Sequence, residues 1–249
     1  GFVSIDYFNE SPDTLNKVLI HLWPNAYSND RTAFSEQLLE NGNTDFYFSN
    51  ENSKGYISKL DFEVDHKNAK HSIVGNNPDI IEIILPENLL PGNKICITTP
   101  FYTKLPDVFS RSGHIDQTYQ IAQWYPKPAV YDKNGWHGIP YLDQGEFYSE
   151  FGEFDVTITL PSAYKIASTG ECISLTTAND TSVYRFVQNN VHDFAWFADK
   201  DFEVEKDTLM LPSGKIIETQ LFHYSNKSGI WKVGMSCLKN AILTKCKWI

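Results

Sequence analysis

The chain has 249 residues, 41% of them hydrophobic and 14% aromatic, with a formal net charge of −10. That length suits one large β domain, or one domain and part of a second, with a full apolar core. The acidic balance and the lack of any basic stripe exclude a nucleic-acid binder, since phosphate contacts need clustered Lys and Arg. Such a field either attracts a cationic ligand or serves solubility.

Residues 2–9 are apolar-rich and run into a turn at Asn9-Glu10-Ser11-Pro12-Asp13. LNKVLIHLW (15–23) reads as a strand closed by Pro24-Asn25, and 31–40 as a short helix with Phe34, Leu38 and Leu39 at helical spacing. Strands are expected at 44–49 and 55–65, with a polar tip at 66–72 leading into another strand-like stretch. DIIEIIL (79–85) and NKICITTPF (93–101) read as two more, joined through a Pro91-Gly92 turn.

Residues 117–155 differ from everything around them. Trp, Tyr, Phe and Pro crowd this stretch, with Glu146, Glu150, Glu153 and Asp155 among them. Proline fixes the backbone and removes a donor, so neither an amphipathic helix nor a solvated linker fits. A rigid, partly buried loop lining a surface or pocket is expected.

FDVTITL (154–160) alternates strictly and is the clearest half-buried strand. Strands follow at 164–169, 171–176, 182–188 and 194–198, with turns at Gly170 and Asn179-Asp180. Short, evenly spaced strands predict an antiparallel β-sandwich or barrel-like sheet, and no internal repeat suggests a solenoid or propeller. The character changes near Lys206. Residues 215–224 still read as a strand, whereas 228–245 carry Ile230, Trp231, Val233, Leu238, Ala241 and Ile242 at helical spacing behind a Ser228 cap.

Cys96, Cys172, Cys237 and Cys246 form no C-x-x-C pair, which argues against a zinc knuckle or a disulfide-dense scaffold and leaves the compartment undecided. No apolar run approaches the ~20 residues that span a bilayer, and no signal peptide is visible. None of the seven His lies in H-E-x-x-H or at i, i+4 spacing; His66 and His71 sit in a Lys/Asn-rich loop that reads as solvated. There is no G-x-S-x-G elbow, phosphate loop or dinucleotide fingerprint. His192-Asp193 suggests a His–carboxylate pair, but strand neighbours face opposite ways, so capping or edge contacts are the stronger reading. Glu146 and Glu150 serve either acid/base work or hydrogen bonding to loop backbone, the latter preferred without a second motif.

Taken together, YQIAQWYPKPAVYD (119–132), GWH (135–137), GEFYSEFGEFDVTITLP (145–161) and ASTGE (167–171) resemble the N-terminal domain of aminopeptidase N-like zinc metallopeptidases, the gluzincins, and most closely a bacterial branch. HLWPNAY (21–27), GYI (55–57) and VHDFAWFADKDF (191–202) match in the same order. The resemblance implies a mainly β fold: a saddle-shaped antiparallel β-sandwich packed against a thermolysin-like catalytic domain. Residues 1–206 are then the N-terminal domain and 207–249 the start of a truncated catalytic domain, with the zinc site and its H-E-x-x-H outside this chain. It also implies a peptide substrate, no cofactor held by this chain, and a periplasmic, cell-envelope or secreted location. In the family a Gln or Glu just ahead of the aromatic-Pro segment helps bind the substrate's α-amino end. Gln120 and Gln123 stand nearest that position, though this chain has Gln123-Trp124-Tyr125-Pro126 where the family has an Arg before the aromatic-Pro pair. The other reading is a free-standing β-sandwich module, its aromatics a platform for peptide or carbohydrate.

Overall fold

The computed structural model describes the chain except for Glu146, Asn226, Lys227 and Ile249 and the side chains of Ser228 and Ile230. The expected mainly β, antiparallel architecture is what it shows. One sheet orders Lys127–Pro128, Leu15–His21, Asn77–Leu89 and His71–Val74 as neighbours. A second orders Phe2–Phe8, Lys94–Pro100, Glu63–Val64 and Lys67–Asn68. Alternation drives both: FVSIDYF turns Val3, Ile5 and Tyr7 inward, and KICITTP buries Ile95 and Ile97. In Leu15–His21 the last four residues are buried on both faces, as expected of a strand covered from two sides.

A third sheet runs Gly113–Ile115, Thr118–Ile121, Trp196–Asp199, Lys165–Ser168, and a fourth runs Gly152–Pro161, Thr181–Val191, Glu171–Ala178. One apolar cluster joins all four, with Val18, Ile20, Ile81, Ile83, Ile95, Ile97, Ile158, Phe186, Phe194 and Ala198 among its members. Two turns use the chemistry anticipated for them. Pro91-Gly92 places Gly92 at φ +77° with Asn93 N donating to Leu90 O at 3.1 Å, a type II geometry that requires glycine there. Asn179 and Asp180 both adopt positive φ, the two-residue turn that matches strand twist in a hairpin.

A separate aromatic cluster, Trp23, Tyr27, Phe34, Leu38, Phe46 and Tyr141 with Ala26, caps one end. The helix Ala33–Glu40 supplies Phe34 and Leu38, and Thr32 caps it by accepting from Ser35 N at 3.3 Å. The expected strand at 44–49 is absent. Asn43 closes a side-chain turn onto Asp45 N at 3.0 Å, and Phe46 alone is buried, edge-on to Phe34 at 5.1 Å. A single anchored ring replaces alternation. The expected strand 55–65 divides into Tyr56–Ser58, paired with Tyr102–Lys104, and Glu63–Val64 in another sheet, because Lys59 between them takes φ +58°.

The hairpin Phe202–Met210 and Ile216–Tyr224 runs unbroken through Lys206, which faces Gln220. Asp199 ties it back by accepting from Tyr224 Oη at 2.8 Å. The expected helix 228–245 exists but breaks at Lys232-Val233 into Ser228–Trp231 and Gly234–Lys245. The second piece lies on the hairpin, Thr219 Oγ1 donating to Met235 Sδ at 3.3 Å, and none of its residues is fully buried. No helix among the described residues is long and apolar enough to cross a membrane.

Candidate functional site

The aromatic-Pro segment is less of a loop than its composition suggests. Thr118–Ile121 is an internal strand, Lys127–Pro128 an edge strand, and Tyr131–Asp132 pairs with Gly135–Trp136 in a small hairpin. Within Thr118–Ile121 the alternation buries Ile121 and leaves Gln120 exposed opposite Phe197. The chain then turns sharply at Gln123, which takes φ +47° without being glycine.

One carboxylate holds that turn. Asp193 Oδ2 accepts from Gln123 Nε2 at 3.3 Å, and Oδ1 accepts from Tyr125 Oη and Phe194 N, each at 2.9 Å. Lys127 Nζ lies 3.5 Å from Oδ1, donates to the carbonyl of His192 and sits 5.7 Å from the centre of the Trp23 ring. Burial lowers the Lys127 ammonium and Asp193 opposes the shift; burial, then Asp193, raises the Tyr125 phenol well above its usual range. Trp124 adds a bond from Nε1 to Phe194 O at 3.0 Å. Residues 123–127 and 192–194 are thus stapled into one unit. His192 and Asp193 do not act as an imidazole–carboxylate pair: the His192 carbonyl and the Asp193 carboxylate serve Lys127, while the His192 ring meets Phe151 at 5.9 Å.

His21 lies stacked on Trp23, ring centres 4.6 Å apart, and burial followed by the nearby Lys127 lowers its pKa to about 4. It is therefore a neutral aromatic. Protons then favour the unfolded chain between histidine's usual 6.5 and about 4, so stability falls as pH drops through that window. Asp79, raised by burial, opposes this in the carboxylate range. We expect His21→Phe, which keeps the stack, to remove about 2 kcal/mol of the stability lost between pH 7 and 5, read from urea midpoints. An unchanged slope contradicts the assignment.

Beyond the hairpin, residues 139–145 and Phe147 are pinned by side chains. Tyr141 N donates to Asp79 Oδ2 at 2.6 Å and Tyr27 Oη to Tyr141 Oη at 2.6 Å. Arg111 donates to the carbonyls of Leu142 and Gly145 at 3.0 and 3.1 Å, with its guanidinium 5.1 Å from the Phe147 ring centre. Gln37 and Gln144 exchange two bonds, at 3.0 and 2.8 Å.

Two cavities border this region, about 20 Å³ beside His21, Trp23 and Phe147 and about 10 Å³ beside Gln123 and Tyr141. Each has room for roughly one water molecule. Neither holds an amino-acid side chain. Gln123 Oε1 is buried with no hydrogen-bond partner among the described residues, while Gln120 is exposed. The two candidate amides therefore differ: one is locked inward, the other is reachable. Of the Glu146 and Glu150 pair, Glu146 lies outside the described residues and Glu150 is exposed. Among the described residues no group of three or more His, Cys, Asp or Glu is placed to hold a metal ion, and His66 and His71 are both exposed. Sequence reasoning missed Lys127, whose burial carries no local signal except its place between two prolines.

No family model matches the chain, and no curated protein sequence matches it significantly. Solved structures do. The M1 zinc metallopeptidase from Deinococcus radiodurans superposes with a TM-score of 0.52 at 12% identity, over 90% of this chain and 43% of that one. A mutant of that enzyme bound to a Tyr-Ser-Ala substrate gives 0.51 at 12% over the same shares, and a two-domain M1 mutant bound to L-tryptophan gives 0.51 at 11%, over 90% and 44%. The chain spans less than half the length of these structures. At such identity the likeness is one of fold: this chain shares with M1 zinc metallopeptidases the architecture of a part of their length.

Proposed function

We propose that the chain is the N-terminal, non-catalytic wall of the substrate channel in an aminopeptidase N-like zinc metallopeptidase of the gluzincin type, from the bacterial branch, acting at peptide N-termini. The observation that supports this most is the match of 90% of the chain to under half of the M1 metallopeptidase structures, one of them holding a peptide substrate. The motifs that resemble the family point the same way. In this reading residues 1–206 form the wall and 207–249 lead into the catalytic half, against which the wall packs; the parent works in the cell envelope, the periplasm or outside the cell.

Zinc belongs to the other half of the parent, where it activates water for peptide hydrolysis. The described residues here do not fit it. What this chain supplies is a rigid surface and an amide. An amide oxygen accepts from an ammonium, and the exposure of Gln120 supports assigning it the substrate's α-amino group. Gln123 can do so only by giving up its inward setting.

The test uses the intact parent protein. Gln120→Ala should raise KM for peptides with a free amino end about tenfold, the worth of one bond to a charged group, and leave kcat less changed. N-acetylated peptides should be turned over poorly by both forms. Gln123→Ala should lower stability by about 1 kcal/mol through its lost bond to Asp193. Hydrolysis of aminoacyl amides by residues 1–249 alone contradicts the proposal.

A further inference from the structure

We infer that the half-buried aromatic patch centred on Trp136 is a recognition site for a cationic side chain of a peptide, an arginine guanidinium above all. Three segments build it. Trp136 lies between Tyr7, ring centres 6.1 Å apart, and Tyr131 at 5.0 Å. Tyr148, 46% exposed, extends the surface and meets His137 at 5.1 Å. Tyr7, Tyr131 and Trp136 pack on the core from one side only and keep part of their rings open.

Four partly exposed rings elsewhere in this chain carry cations of their own. Lys59 lies over Tyr102, Lys94 over Phe8, Arg111 over Phe147 and Lys200 over Tyr164. Among the described residues no Lys or Arg lies over Tyr7, Tyr131, Trp136 or Tyr148, and carboxylates stand at their rim instead. Asp13 already accepts from Tyr131 Oη at 2.9 Å. Asp132 accepts from Asn134 N at 2.8 Å and has His137 Nε2 2.8 Å away. Glu150 is exposed and has no such commitment: among the described residues it makes no hydrogen bond or ion pair, and its charge follows burial in raising the Tyr7 phenol, and follows burial and Asp132 in raising that of Tyr148. Ring faces plus an uncommitted carboxylate are the two halves of guanidinium recognition, stacking and ion pairing. The net charge of −10 concentrates such ligands near the surface. A neutral sugar would use the rings and leave the surplus of carboxylates idle.

The experiment titrates the chain with a hexa-arginine peptide while following the indole N–H of Trp136 by NMR. We expect a saturable shift, weakened about tenfold by Glu150→Gln, which removes one exposed charge without touching the core. Glu171→Gln, on the exposed strand Glu171–Ala178 of another sheet, is the control for the general acidic field and should change affinity by less than about twofold. Three results overturn the inference: equal weakening by both variants, no saturable shift at Trp136, or tighter binding of a neutral hexasaccharide than of the peptide. Because the site is described independently of Gln120 and of any hydrolysis, it stands or falls apart from the aminopeptidase reading.

Discussion

Replacing Lys127 by Met should cost roughly 3–5 kcal/mol, the usual result of stripping one partner from a buried ion pair. The variant keeps a side chain of similar length but leaves Asp193, itself only 17% exposed in its side chain, facing Gln123 Nε2 and Tyr125 Oη without a cation. The His192 carbonyl loses its donor in the same step. For a chain of this size the loss corresponds to about 10 °C in Tm. Lys127→Met combined with Asp193→Asn should lose less than the sum of the single changes, since the second removes the stranded charge. Urea unfolding of all four forms gives the comparison. Additive losses, or a single-variant cost under about 1 kcal/mol, would show that the pair is solvated and the staple unimportant.

Phe34→Ala should cost a comparable 3–5 kcal/mol, by emptying the centre of the aromatic cap. Phe34 is fully buried and touches three rings, Tyr27 at 4.9 Å, Phe46 at 5.1 Å and Tyr141 at 5.5 Å, and Tyr27 and Tyr141 are held from collapsing into the void by the bond between their hydroxyls. Phe34→Leu, which keeps most of the volume, should cost about 1–1.5 kcal/mol. Tyr141 is also anchored through its N–H to Asp79, so hydrogen exchange at Leu142–Gln144 should quicken in the Ala form while the Gly152–Pro161 strand stays protected. Uniform quickening would place the cap in the same cooperative unit as the main core.

How far the sequence carried this account depends on the range of the interaction concerned. The strand-like runs at 79–85 and 93–101, the alternation along 154–160, and the turn chemistry of Pro91-Gly92 and Asn179-Asp180 are local signals and matched the strands and turns that form. Residues 44–49 looked like a strand because their aromatics mimic one; a distant cluster with Tyr27 and Phe109 decided otherwise. Inside 117–155 the short strands went unseen, since some pair with residues far along the chain, such as Lys127 with His21, and others, such as Tyr131–Asp132 with Gly135–Trp136, are only two residues long. The candidate site divides the same way. Gln120 and Gln123 stand three apart and are alike in sequence, yet strand alternation exposes one and Asp193, 70 residues on, pins the other. Only the fold separates them.

The central claim is that residues 1–206 form one wall of a peptide channel, meeting the peptide through residues 117–150, and a structure of the intact parent with a peptide bound tests it most directly. The account predicts the peptide's α-amino nitrogen within about 3.2 Å of an amide oxygen of Gln120 or Gln123, with this segment turned toward the metal-bearing half. A peptide seated elsewhere, with residues 117–150 facing solvent, would contradict it.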